Sequence, residues 1–345
     1  MSLVAVTQIH AAQQAPEFPT TLTKGPLFDH YVTGNAGDVR PATHGGLLLA
    51  GGGTDQPDAF RWLMRKAGGG DIVVLRASGA DGYHSFVMRL GGVDSIETFL
   101  VHSREASSDP TLLAQLGKAE AIFFAGGDQS RYVRYFKDTP VEDLINAAAR
   151  RQIPIGGTSA GLAILSEFSY SAMFASTTTN EATAEPFHEN ITLDRDFLAL
   201  PHLSGIITDS HVVERDRLGR TVTFMARLKR DGWLGERPAR AIAIDRETAV
   251  LVEPDGSATI VGPKTAYFMQ ATTAPQRCEV GSPLTFFPVA VYTVTNASTF
   301  NLVTWTGTGG TKGEMTIKEG KVTGPETSTS DVPISRPHPE SPSRR

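Results

Sequence analysis

The chain carries a single cysteine, Cys278, among its 345 residues. One thiol cannot build an internal disulfide framework or a cysteine-based metal cage. No apolar run is long enough to cross a bilayer as a helix, so membrane association is not expected. Basic residues are not in excess either. The 32 Lys and Arg are outnumbered by 37 Asp and Glu, giving a formal charge of −5 and no electrostatic footprint for nucleic acid. No H-E-x-x-H or paired carboxylate–histidine spacing occurs, so neither a metal nor another cofactor is expected. Internal repeats are also absent.

What remains is an ordinary globular composition, 40% apolar and 20% charged, with enough apolar surface for a sizeable core. Residues 1–44 carry scattered Pro, Thr and Gly without a period and read as irregular. Within them Val4–Ala15 resembles the end of a trimmed signal region, which would place the protein in the periplasm or outside the cell, with the cytoplasm as the alternative. From 45 to 237, short apolar strands alternate with amphipathic helices. The strands are Gly46–Ala50, Ile72–Arg76, Ile96–Val101, Ala121–Ala125 and Ile153–Ile155; the helices include Pro57–Lys66, Pro110–Leu116 and Val141–Arg151. That alternation predicts an α/β domain with a doubly wound, mostly parallel sheet covered on both faces, its site at the carboxyl ends of the strands. Over 238–322 the period falls to two and predicts a β-rich C-terminal extension. Residues 323–345 are dominated by Pro, Ser, Thr and Arg and read as a disordered tail.

Gly157-Thr158-Ser159-Ala160-Gly161 has the G-x-S-x-G form of a nucleophile elbow. A serine on a tight strand-to-helix turn adopts a strained backbone, and flanking glycines let the chain turn without clashes. The Ala160 amide then becomes one oxyanion donor. Ala125-Gly126-Gly127-Asp128-Gln129 follows another strand; Gly127 is a candidate second donor and Gln129 a candidate substrate contact. The plain alternative there is a tight turn with Asp128 capping the next helix. Of the nine histidines, His211 stands at the end of the strand-like Gly205–Thr208 and is the candidate base. Arg215, Arg217 and Arg220 come shortly after it. Arg217 and Arg220 share a helix face and can fork a carboxylate, whereas a solvated charged helix is the bland reading.

These three motifs, in this order, resemble the family of cyanophycinase and peptidase E. The resemblance runs over most of residues 45–322. Cys278–Phe286 and the strands after it look like a branch of larger, often exported bacterial members. Membership would imply a flavodoxin-like domain related to class I glutamine amidotransferases, with serine in place of cysteine. It would also imply a serine peptidase acting on aspartyl bonds, with cyanophycin (an arginine-decorated polyaspartate) or a related peptide as the substrate partner. Ser159 and His211 carry over as nucleophile and base; Gln129, Asp209, Arg215, Arg217 and Arg220 match positions around the substrate. The family places its acid between Ser and His, which selects Glu181, with Glu185 behind it. Asp209-Ser210-His211-Val212 departs from the Asp-Gln-His-Phe of the cyanobacterial pattern, so one substrate contact is changed. A homodimer is compatible with all of this. Two other readings stay open: an aspartyl-peptide-binding or sensing protein without turnover, and an esterase using the same serine. An α/β-hydrolase esterase fits poorly, because a long β-rich stretch comes after His211.

Overall fold

The computed structural model describes residues 18–35 and 37–325. The signal-like segment and nearly all of the expected tail lie outside the described residues. Two sheets organise the rest. The first has eleven strands, in the spatial order Thr21–Lys24, Phe28–Gly34, Ser95–Val101, Ile72–Arg76, Ala121–Phe124, Ile155–Thr158, Leu47–Ala50, Ala249–Val252, Ser257–Val261, Thr299–Asn301 and Thr306–Thr308. The second has eight: Lys321–Thr323, Thr311–Lys318, Phe286–Val294, Ala266–Ala271, Ala239–Ile244, Ile206–Ser210, Phe168–Tyr170 and Leu193–Arg195.

Both sheets are mixed, which corrects the expected mostly parallel sheet. A parallel run from Ser95–Val101 to Leu47–Ala50 is present, but antiparallel strands close it on both sides. The strands after residue 237 are largely responsible. Ala249–Val252 pairs antiparallel with Leu47–Ala50, and Ala239–Ile244 pairs parallel with Ile206–Ser210. The β-rich segment is thus woven into both sheets and is not an appendage on one. A strand's period reveals its faces, not its partners, and two open edges of the α/β part are what these strands cover. Residues 18–44 also differ from the irregular lead-in expected. Thr21–Lys24 and Phe28–Gly34 form a hairpin whose second strand pairs with Ser95–Val101.

Side-chain alternation explains why the central strands read as unbroken apolar runs. Leu47 and Leu49 face one core, shared with Ile242, Ile244 and Phe268 of the second sheet. Leu48 and Ala50 face another, built on Phe60, Leu63 and Phe123. A third core lies across the second sheet, where Ala241 and Ala243 meet Val222 and Met225 of the helix Leu218–Arg230. Each buried Leu is worth about 2 kcal/mol relative to exposure, so both faces stabilise the strand. The helix Pro57–Lys66 has Pro at its start, Asp58 in its first turn and Arg65 and Lys66 in its last, in accord with the helix dipole. Among the described residues, no helix is long and apolar enough to cross a membrane.

The order of the first sheet gathers several strand ends in one place. The carboxyl ends of Ile72–Arg76, Ala121–Phe124, Ile155–Thr158 and Leu47–Ala50 stand side by side along one edge. The end of Ile206–Ser210, from the second sheet, meets them there: the His211 amide donates to the Gly51 carbonyl at 3.0 Å.

Candidate active site

Ser159 stands between the strand Ile155–Thr158 and the short helix Ala160–Ala163, at φ 53° and ψ −114°. A non-glycine residue held there stores backbone strain, of order 1–3 kcal/mol. Close approach is what demands the glycines. A Cβ on Gly161 would lie 2.1 Å from the Phe124 carbonyl oxygen, and one on Gly157 would lie 2.6 Å from the Gly161 backbone. The strand is displaced relative to the expected Ile153–Ile155, because the Gly156-Gly157 pair that reads as a turn is in fact within the sheet.

His211 reaches the same point from the other sheet. Its Nε2 lies 2.9 Å from Ser159 Oγ. The ring fills the space above Gly52, where a Cβ would come within 2.2 Å of Nε2. Gly52 is therefore a site residue in its own right, absent from the expected set. The triple glycine after Gly46–Ala50 is the signal in the sequence that marks it.

His211 has φ 54° and opens a tight turn, in which Arg215 N donates to His211 O and Arg217 N donates to Val212 O. That turn swings Glu214 back under the imidazole, with Oε2 3.2 Å from Nδ1. On the far side, Arg246 Nη1 lies 3.4 Å from Glu214 Oε1. Burial alone pushes the Glu214 carboxyl up, but its bond to His211 and the Arg246 charge hold it below the usual range. Burial lowers the His211 pKa, partly offset by the Glu214 hydrogen bond. A neutral imidazole that accepts from Ser159 and donates to Glu214 is the protonation state these contacts favour.

The structure does not bring Glu181 to this constellation. It is the third residue of a capping box at the start of Thr179–Ala184, accepting from the Thr178 amide at 2.8 Å and the Thr178 hydroxyl at 3.0 Å. Glu185 is also spent on backbone, accepting from Phe187 N at 3.0 Å and Gly281 N at 2.6 Å. The chain order implied by the resemblance pointed to the segment between Ser and His. The carboxylate that meets His211 Nδ1 instead lies three residues after the histidine.

Asp209 and Arg220 need a second correction. Arg220 Nε and Nη2 fork the Asp209 carboxylate at 2.9 and 2.6 Å, with the two side chains only 2% and 3% exposed. Thr221 Oγ1 and Ser210 N complete the carboxylate's partners, and the guanidinium lies over the Tyr170 ring. Burial works against the Asp209 charge, yet the Arg220 attraction holds its pKa below the ordinary value. So the pair is buttress, not substrate contact. Arg220→Met is expected to lower the unfolding free energy by about 3–5 kcal/mol, because it strands a buried carboxylate. A denaturant titration measures this; an unchanged midpoint with a raised KM would return Arg220 to the substrate.

Arg217 is half-buried and bonds Ser210 O at 3.0 Å and Ser176 Oγ at 3.2 Å, while burial and the neighbouring Arg220 push its pKa down to about 10. Arg215 is exposed at the rim and takes part in no ion pair among the described residues. Gln129 is half-buried beside the site, its Nε2 3.4 Å from the Tyr170 carbonyl. Asp128 caps the helix Gln129–Phe136, as the plain alternative held. Gly126 and Gly127 come after the strand next to the serine, and a Cβ on Gly126 would sit 3.4 Å from Ser159 Cβ. Neither the Gly127 nor the Ala160 amide donates to another protein group among the described residues. Among those same residues, no group of His, Cys, Asp or Glu is arranged to hold a metal ion.

The chain also resembles known proteins. The model of peptidase family S51 matches residues 86–253. A cyanophycinase of Synechococcus elongatus is 28% identical over 282 residues, covering 76% of this chain and 80% of the relative. A cyanophycinase of Trichormus variabilis is 24% identical over 277 residues, covering 76% and 87%. Among solved structures, a peptidase from an acI-B1 actinobacterium superposes with a TM-score of 0.50 at 16% identity, covering 75% of this chain and 97% of that one, which supports the shared fold. The chain is thus similar to peptidase family S51 and to cyanophycinases, and these matches support a serine peptidase.

Proposed function

We propose that the protein hydrolyses aspartyl peptide bonds in cyanophycin or a closely related arginine-bearing polymer, using Ser159, His211 and Glu214. The observation that carries this reading is the 2.9 Å contact between Ser159 Oγ and His211 Nε2 at a strained elbow. Ser159 Oγ attacks the scissile carbonyl carbon while its proton passes to His211 Nε2. Glu214 orients the ring through Nδ1 and stabilises the imidazolium. The oxyanion that forms accepts from the Gly127 and Ala160 amides, which no protein acceptor occupies among the described residues. His211 then protonates the leaving amine, and an acyl group remains on Ser159. Water, deprotonated by His211, releases it by the reverse sequence.

Substrate identity is supported by the cyanophycinase relatives and by charge. A net charge of −5 favours approach of a polymer that displays guanidinium groups. The test is turnover of cyanophycin beside polyaspartate stripped of arginine and beside α-aspartyl dipeptides. Cyanophycin is expected to release aspartyl-arginine units, the stripped polymer to be a poor substrate, and added salt to lower kcat/KM more than kcat. If every aspartyl substrate is inert while Ser159 still reacts with a fluorophosphonate, the aspartyl specificity is wrong.

A further inference from the structure

The edge that carries Ser159 extends past Gly127 to residues the mechanism does not use. Along it stand the ends of the strands bearing, in order, Ser78, Gly127, Ser159 and Gly52, with His211 over the last. Ser78 closes against Gly127: a Cβ there would meet Ser78 Oγ at 2.5 Å. One strand, Ala121–Phe124, separates the Arg76 strand from the Ser159 strand, a span of two interstrand spacings or ~10 Å.

Arg76 ends the strand Ile72–Arg76 and is half-buried. Its Nε donates to Ser78 O at 2.9 Å, and its guanidinium lies over the Tyr83 ring at 5.6 Å. The loop after it is built around this head group. A Cβ on Gly79 would lie 2.5 Å from Nη2, and one on Gly82 would lie 3.6 Å from Nη1. Among the described residues, neither Nη donates to a protein acceptor and no carboxylate comes within ion-pair distance. The acids of the neighbouring loops, Asp55 and Asp81, both stay outside that distance. Burial pushes the Asp55 carboxyl up to about 6, so it is a poor counter-ion in mildly acidic solution. The two Nη donors are open to solvent and face no protein acceptor among the described residues, and the planar fork they present matches an incoming carboxylate.

We propose that Arg76, held by the Ser78 carbonyl and the Tyr83 ring, binds a free carboxylate of the substrate on the side of Gly127 away from His211. This rests on the aspartyl-peptide reading and deepens it. The group taken is a carboxylate a few bonds from the scissile carbonyl, such as the one an arginine keeps when its amino group is linked to an aspartyl side chain. Arg76 is thereby a specificity determinant: it selects carboxylate-bearing branches over neutral ones.

The experiment measures binding without turnover. The Ser159→Ala protein is titrated by calorimetry with β-aspartyl-arginine and with the same dipeptide bearing an arginine carboxamide. The free acid is expected to bind roughly tenfold to hundredfold more tightly, the range of a charge-assisted hydrogen bond. Adding Arg76→Met should level the two affinities, and Arg76→Lys, which keeps the charge and loses the fork, should restore part of the difference. A preference that survives Arg76→Met, no preference in the parent, or no binding of either compound would each overturn the proposal. Should Arg76→Met fail to fold, Arg76→Lys alone decides: an undiminished preference counts against the fork. Failure of the substrate reading is separate, since it appears as absent turnover in the wild-type protein whatever Arg76 binds.

Discussion

Replacing Ser159 by alanine is expected to lower kcat by roughly 10^5- to 10^6-fold, and His211→Ala by a similar factor. The two losses should be nearly the same as that of the double variant. On the proposed mechanism the two groups, 2.9 Å apart, act as one unit, so removing either already removes proton transfer and attack together. What remains should be the modest rate supplied by the Gly127 and Ala160 amides and by substrate binding. Steady-state kinetics on an aspartyl-arginine substrate, paired with fluorophosphonate labelling of Ser159, measures both effects. Additive losses in the double variant would mean that Ser159 and His211 act in separate steps. Because burial lowers the His211 pKa, the acid limb of kcat/KM in the wild-type protein should fall below pH 6.5, the base being neutral above it.

The next largest effect separates two glutamates. Glu214→Gln is expected to cost about 10^2- to 10^4-fold in kcat, since the amide can neither enforce the Nδ1–H tautomer nor stabilise the imidazolium. Its pH profile carries a signature that a merely structural change would not produce. Glu214 raises the His211 pKa both by its hydrogen bond and by its charge, so its loss should move the acid limb to still lower pH. Glu181→Gln, by contrast, should leave kcat and the pH profile in place. It weakens a capping box at Thr178, a change of about 1 kcal/mol in stability at most. Equal kinetic losses in the two variants would return the acid role to the segment between Ser159 and His211.

The contrast between these glutamates also shows how far the amino-acid sequence can be read. The turn at Gly157–Gly161 and the place of His211 at a strand end were legible because both are local: a strained elbow needs its glycines in fixed places, and the apolar run before His211 marks the strand that it follows. The helix Pro57–Lys66 and the strands Ile72–Arg76 and Ala249–Val252 were legible for the same reason, their periodicity being set by their own burial. Glu214 was hidden because its role depends on a positive-φ turn at His211, which no pattern of residue types announces. Arg217 and Arg220 look alike as a forked cation. Only the third dimension separates Arg220, locked on Asp209, from Arg217 at the half-buried margin. Strand partners were hidden as well, since Ala239–Ile244 and Ala249–Val252 are close neighbours along the chain and yet join different sheets.

The Ser159 amide donates to Ala50 O at 3.1 Å and the His211 amide to Gly51 O at 3.0 Å, so the two halves of the dyad hang from adjacent carbonyls of a single peptide run. The residues follow strands of different sheets. A displacement of that shared run carries Ser159 and His211 together, as two pens in one holder draw parallel lines. The shared anchor ties the separation of Ser159 and His211 to one short stretch of backbone and makes it less dependent on how the two sheets sit against each other.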